Sequence, residues 1–338
     1  MRVLVTGGTG FVGAWSAKAL ADDGHDVRLL VRRPDRIATV LDPLGVKGVE
    51  HAIGDMTDGV AVRAAMDGCE AVLHCAAVVS NDRREADAMI AANLRGAETV
   101  LGAAVACGAD PVVHVSSIAA LFDPVAPVMR TDVTASGAGA YGRSKASVEN
   151  FARSLQAAGA PVTITYPGMV LGPSAGPAFG EAAQGVEQLL KMGVIPTRDG
   201  AWLVVDVRDV AAVHSACMVA GQGPRRYLCG GRFLPMRELA PILRRLTGRS
   251  LPILPIPGIA LREIGRLVDI AARVVPIETV FTRGAMEQFT RMTPSDDRGI
   301  HDELGIVYRP VTETFADTVV AMVAEGRLTA KQAGSCAS

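Results

Sequence analysis

Tyr141 and Lys145 stand four residues apart in "YGRSK". On a helix this spacing puts phenol and ammonium on one face. A neighbouring cation stabilises phenolate and draws a tyrosine from its ordinary pKa of about 10 toward working pH. The pair therefore suits proton transfer. Such pairs also arise by chance on solvated helices, so the reading needs partners. One precedes it: "VVHVSS" carries Ser116 and Ser117 at the end of an apolar run. The carboxyl end of such a strand faces the ligand crevice of a parallel sheet. Successive strand side chains point to opposite sides, so only one of the two enters a site.

A second cluster, "VTGGTGFVGAW", spaces Gly7, Gly10 and Gly13 three apart. It follows the strand-like run Met1–Val5 and opens a helical pattern over Phe11–Asp22, with Gly24 as a stop. In a strand–turn–helix context Gly7 permits the tight turn and Gly10 lets backbone N–H groups approach a pyrophosphate. Gly13 lets helix and sheet pack closely.

The elements that must position these groups alternate along the chain. Strand-like runs lie at 27–31, 49–53, 71–75, 112–116 and 162–166, with helical patterns near 57–66, 86–107 and 139–157. The alternation predicts an α/β fold, a Rossmann-type doubly wound parallel sheet. After Tyr166 glycine and proline punctuate shorter segments. The division expected is a dinucleotide domain over 1–166 and 203–220, the second piece rejoining the sheet. A substrate lobe follows over 167–202 and 221–327, with a disordered tail over 328–338. The apolar stretch 251–281 is interrupted by Arg262, Glu263, Arg266, Asp269 and Arg273 and by prolines, which excludes a membrane span. Its Leu261, Ile264, Leu267, Val268 and Ala271 form one stripe, expected to pack beside a substrate cleft.

With 338 residues and a net charge of −1, the chain has room for a sizeable core and no basic surface for nucleic acid or anionic membrane. The six cysteines form no CxxC pair and the six histidines no metal spacing, so no metal is expected and the thiols read as reduced. The chain begins on a strand rather than on a signal peptide, and Cys336, third from the end, does not fit a prenylation box. A cytoplasmic location is the expectation.

Together TGGTGFVG, GDM (54–56), HCAA (74–77), NLRGAETVL (93–101), VSS (115–117), YGRSK, YPGMVLGP (166–173) and DVRDVA (206–211) resemble an extended short-chain dehydrogenase/reductase. The chain is most similar to the dihydroflavonol-reductase-like branch, which includes 3β-hydroxysteroid dehydrogenases. The resemblance covers about the first 220 residues. It implies Tyr141 as general acid, Lys145 beside it and on the nicotinamide ribose, and Ser117, in preference to Ser116, on the substrate oxygen. Asn93 would position these. It implies cofactor contacts from Gly7, Thr9, Gly10, Phe11, Val12 and Gly13, an adenine edge at Asp55 and Met56, and a border at Ala76 and Ala77. Pro167, Gly168 and Val170 would line the nicotinamide. Helices 86–107 and 139–157 are where relatives often form homodimers.

Four positions depart from relatives. Tyr166 stands where arginine is frequent, and Phe122 where plant flavonoid reductases carry an asparagine. Trp202 replaces the arginine that nucleotide-sugar epimerases present to a diphosphate, and Ile118 the acid of dehydratases. These departures favour a hydrophobic carbonyl or alcohol substrate, in a pocket built partly from Phe122, Met169, Phe179 and 256–281, over a nucleotide sugar. A non-catalytic dinucleotide-binding regulator is the reading from another class, and such proteins typically lose the Tyr or the Lys. The second strand ends in Arg32, Arg33 and Pro34 with no carboxylate, and Arg36 follows. NADP(H) is thus expected rather than NAD(H), with Arg32 as the phosphate contact.

Overall fold

The protein is described here by a computed structural model that covers every residue except 81, 181, 273–280 and 338. In chain order the strands are β1 (Arg2–Thr6), β2 (Asp26–Val31), β3 (Glu50–Ile53), β4 (Ala71–His74), β5 (Val112–Val115), β6 (Val162–Pro167), β7 (Met169–Leu171), β8 (Ala201–Asp206), β9 (Arg225–Cys229) and β10 (Arg232–Pro235). The first helices are α1 (Phe11–Asp22), α2 (Arg36–Leu41), α3 (Gly59–Met66), α4 (Ala86–Ala106), α5 (Ile118–Leu121) and α6 (Gly139–Ala157). Then come α7 (Ala183–Met192), α8 (Val207–Ala216), α9 (Met236–Thr247), α10 (Gly258–Ala271), α11 (Arg283–Thr290), α12 (Arg298–Asp302), α13 (Val311–Ala324) and α14 (Ala330–Ala333).

Val3 and Val5 of β1 face one side of a sheet and Leu4 the other, and all three are fully buried. The same period-two split runs through β4 and β5, where Leu73 and Val113 join Val3 while Val72 and Val112 join Leu4. Burial on both faces is what continuous apolar strands require, and helices supply the cover. The result is a seven-stranded sheet in the order β3-β2-β1-β4-β5-β6-β9, with every pairing parallel. The order reverses between β1 and β4, which opens a crevice at the carboxyl ends of the strands.

Three expectations are corrected. β8 does not rejoin this sheet: it lies between β10 and β7 in a separate three-stranded sheet, and β9 takes the seventh place. An apolar strand buried on both faces reads alike in either sheet, and β9 opens on two exposed arginines that mask it. Helix α8 does return to the domain, for His214 meets Ser16 of α1 at 2.8 Å and Thr165 of β6 at 3.1 Å. Second, the tail is ordered through its described residues. Thr329 and Gln332 cap α14 reciprocally, and Leu328 and Ala333 are buried in the lobe's core with Leu243 and Phe315. The "TAKQ" segment carries the Thr-x-x-Gln pattern of a capping box. Third, α10 packs through Gly258, Leu261 and Gly265, while Ile264 and Leu267 of the expected stripe face outward with Ile259 and Ile270. Small residues bring the backbone close, so the packed face is not the most apolar one. Of the stretch 251–281, residues 273–280 lie outside the described ones.

Candidate active site

The turn after β1 is closed by contacts that only glycine permits. Gly7 has φ 74°, and a Cβ there would stand 2.7 Å from the Ala76 nitrogen. A Cβ on Gly13 would fall 2.2 Å from the Gly7 oxygen. Gly10 donates its N–H to that oxygen at 2.9 Å, and α1 begins at Phe11 with no side-chain cap on its first amides. Uncapped amides at the positive end of a helix form an anion site. This cradle fits a pyrophosphate against Thr9, Gly10, Phe11 and Val12. Phe11 stacks on Phe179 of the lobe, ring centroids 6.3 Å apart, so the lobe reaches the turn.

At the end of β2 the two arginines differ. Arg33 pairs with Asp35 at 2.8 Å, whereas Arg32, its side chain 74% exposed, leans toward Asp55 at 3.8 Å. Burial works against the Asp55 carboxylate, but N–H and hydroxyl donation from Thr57 and the charge of Arg32 outweigh it and hold the carboxyl below its usual range. Met56 lies against α4, where a Cβ on Gly96 would come within 2.7 Å of its sulfur. Sequence reasoning named Met56 but not Gly96, the position that makes room for it.

Ser117 and Lys145 both lie at the carboxyl end of β5. Lys145 is buried and its Nζ donates to the Val115 carbonyl at 3.2 Å. Ser117, also buried, caps α5 by accepting from the Ala119 N–H at 3.2 Å. A Cβ on Gly142 would lie 3.1 Å from the Ala119 oxygen, so the first turn of α6 sits against α5. Tyr141, one residue earlier, is 38% exposed. A buried cation and a buried hydroxyl at one strand end, with an accessible phenol one helical turn from the cation, are groups suited to proton transfer to a ligand oxygen. Asn93 fixes this corner. It donates to the Val78 carbonyl at 2.8 Å and to Ser144 at 2.9 Å, and accepts from the Val78 N–H at 2.7 Å. Ser116 points away into the interior, as alternation requires.

Beneath the site His74 and His114 stack at 5.5 Å, and Thr6 meets His74 Nδ1 at 2.8 Å. Burial, then the charge of Lys145, pushes His74 down to about 3, and burial with His74 and Lys145 lowers His114 as well. Burial likewise pushes the Cys75 thiol up to about 12. These groups are neutral, and Lys145 faces no competing ion from them. Ala76 donates its N–H to Thr6 at 3.2 Å, and Ala77 follows it, exposed.

Pro167 is buried and Gly168 follows it, its N–H donating to the Cys229 carbonyl at 3.0 Å. A Cβ there would stand 2.3 Å from the Gly230 oxygen, so β6 and β9 meet tightly where the nicotinamide is expected. Val170 is buried. Tyr166, in the position of the family arginine, is fully buried and donates to Glu149 in a short bond, while Arg153 Nε reaches the same carboxylate at 2.6 Å. Phe122 is buried in the domain's core rather than in the pocket expected of it. Met169 and Phe179 are half-buried with Trp202, whose ring lies 6.2 Å from Phe289. Among the described residues no His, Cys, Asp and Glu group has a metal-binding arrangement, and no helix is long and apolar enough to cross a membrane.

Residues 3–230 match the family described as NAD dependent epimerase/dehydratase family. A "Sterol demethylase protein B" of Methylococcus capsulatus is 32% identical, over 94% of this chain and 97% of its own. A "Cinnamoyl-CoA reductase 1" of Arabidopsis thaliana is 30% identical, over 96% and 90%. A solved UDP-glucose-4-epimerase from Stenotrophomonas maltophila, with bound NAD, shares the fold at a TM-score of 0.75 and 22% identity, over 97% of this chain and 99% of that one. With a matched family profile over residues 3–230 and two relatives at 30% identity or more that span nearly all of it, the chain belongs to the NAD dependent epimerase/dehydratase family, among its extended short-chain dehydrogenases/reductases.

Proposed function

We propose that the protein is an NADP(H)-dependent reductase of a carbonyl group on a hydrophobic small molecule, or the corresponding alcohol dehydrogenase. The observation that carries this is the end of β5, where buried Lys145 is bonded to the Val115 carbonyl two residues before buried Ser117, one helical turn from accessible Tyr141. The cofactor, when bound, supplies the hydride that reaches the carbonyl carbon. Tyr141 gives its proton to the carbonyl oxygen, so the C=O becomes CH–OH and the phenolate left behind faces the Lys145 ammonium. Ser117 donates to the same oxygen as charge develops on it. Lys145 also faces the position of the nicotinamide ribose. Asn93 holds the loop after β4 to α6 and so keeps this corner in register.

Reductase relatives support the reading, and the epimerase likeness is one of fold. Trp202, packed with Phe289 where diphosphate-binding relatives present an arginine, offers a nucleotide sugar no charge. The test is a screen of aldehydes, ketones and hydroxysteroids with NADPH, alongside Tyr141→Phe. The variant should lose turnover by a factor of 100 or more, general acids contributing about 10²–10⁴-fold, while binding cofactor normally. Near-wild-type rates in that variant would overturn the mechanism. Tight calorimetric binding of a nucleotide diphosphate sugar would put the epimerase reading first.

A further inference from the structure

We propose that Gly284 is a positioning residue for Tyr141, acting through α11 as a strut between the substrate lobe and the catalytic helix. The inference rests on the reading of Tyr141 as proton donor. Helix α6 starts at Gly139, with φ 68°, two residues before Tyr141. A Cβ on Gly284, in the first turn of α11, would lie 3.1 Å from the Gly139 Cα and 3.4 Å from its nitrogen. Helix α11 thus meets the start of α6 backbone to backbone. The loop before α6 is equally tight, because a Cβ on Gly137 would fall 2.1 Å from the Gly142 carbonyl. No rotamer lies in this path to absorb a displacement, and close-packed atoms pass strain on.

The far end of α11 is seated in the same manner. Phe289, roughly 7.5 Å along the axis at about 1.5 Å per residue, presses its ring where a Cβ on Gly200 would be only 2.2 Å away. It also meets Trp202 of β8. Helix α10 holds the strut from the side. A Cβ on Gly265 would stand 2.9 Å from the Arg283 nitrogen, and Arg262 donates to Thr290 at 2.9 Å. The position of the lobe at Trp202 and Phe289 is therefore communicated to the turn that aims the phenol. Proton transfer needs heavy atoms within about 2.6–3.2 Å, so a shift of a few tenths of an ångström at Gly139 is felt at Tyr141.

Gly284→Ala separates this role from a structural one. Alanine is the better helix former and the Gly284 backbone is helical, so propensity offsets the pressure of the new Cβ on Gly139, and the strut requires a Tm close to that of the wild type. The strut predicts a kcat lower by about 5–20-fold, since misplacement by about 1 Å can cost 100-fold. The dissociation constant for NADPH should stay within twofold. The probe is whichever of benzaldehyde, cyclohexanone and a 3-ketosteroid the wild type turns over fastest. Gly102→Ala, in α4 with open space around it, is the control and should behave as wild type. Tyr141→Phe is measured in parallel. If that variant is inactive while Gly284→Ala keeps its kcat within twofold, the strut is wrong and the proton-donor reading stands. If Tyr141→Phe is active, both fall. A Gly284→Ala protein that is insoluble, or that loses kcat, Tm and NADPH affinity together, also overturns the proposal.

Discussion

Arg32 and Arg33 are adjacent in sequence and unequal in partners. Asp35 holds the Arg33 guanidinium, by hydrogen bond and by charge, whereas Arg32 reaches only toward Asp55 at 3.8 Å. A guanidinium pairs with phosphate through charge-assisted bonds worth about 1.5–3 kcal/mol. Arg32→Asp is therefore expected to lower kcat/KM with NADPH by an order of magnitude or more and leave NADH nearly unaffected. Arg33→Ala should do much less. A wild-type preference for NADH, measured as the ratio of the two specificity constants, would count against the 2′-phosphate assignment. These residue types at a strand end were legible in the sequence. Arg32 was already the better candidate there; what was not legible is that Asp35 holds Arg33, because that pairing depends on how the chain turns through Pro34.

At the scale of elements, the tail and α10 show where periodicity misleads. Residues 328–338 look like a polar end of chain, yet Leu328 is buried beside Met322 and Leu243, and Arg249 donates to the Gln332 carbonyl at 2.6 Å. Leu328→Ala is expected to cost about 2–5 kcal/mol, as for a leucine removed from a core. The measurement is the urea midpoint, and a disordered tail would leave it unmoved. Helix α10 misleads in the opposite direction. Its outward face carries Leu267 at 64% exposure, and its packing rests on glycine and one leucine. By contrast, the helical pattern near 139–157 coincides with α6, Gly139–Ala157.

For the whole molecule, buried neutral histidines set the acid limit. His74 and His214 are each pushed down to about 3 by burial, with the Lys145 charge adding to the effect at His74. His214 bridges α1, α8 and β6. Ser16 already donates to the Val12 carbonyl, so the His214 Nδ1–H donates to Ser16 and its Nε2 accepts from Thr165. In the unfolded chain both rings take up protons below about 6.5. The folded state binds fewer protons between that value and about 3, so stability is full above 6.5 and falls as pH drops through the window. At pH 5 the two together cost on the order of 4 kcal/mol, a large share of a typical 5–15 kcal/mol. Tm should therefore fall steeply below about pH 6. His214→Gln should flatten the fall, and a Tm independent of pH between 7 and 5 would refute the account.

The sequence by itself determined the parallel α/β class, the glycine-rich strand-to-helix turn, the Tyr141–Lys145 spacing and the place of Ser117 at a strand end. Each is written in contacts of short range: strand to turn to helix, residues four apart on one helix face, or a hydroxyl at a strand's carboxyl end. Tertiary structure alone decided that β8 leaves the main sheet for β7 and β10, and that Phe122 is core. It also decided that Tyr166 and Arg153 share the buried Glu149 carboxylate, and that Gly284 rests on Gly139. An apolar strand carries no mark of which sheet it enters, and a glycine none of the backbone it will meet. Such choices are settled by packing between residues far apart in the chain, where the filling of space, rather than local pattern, selects the outcome.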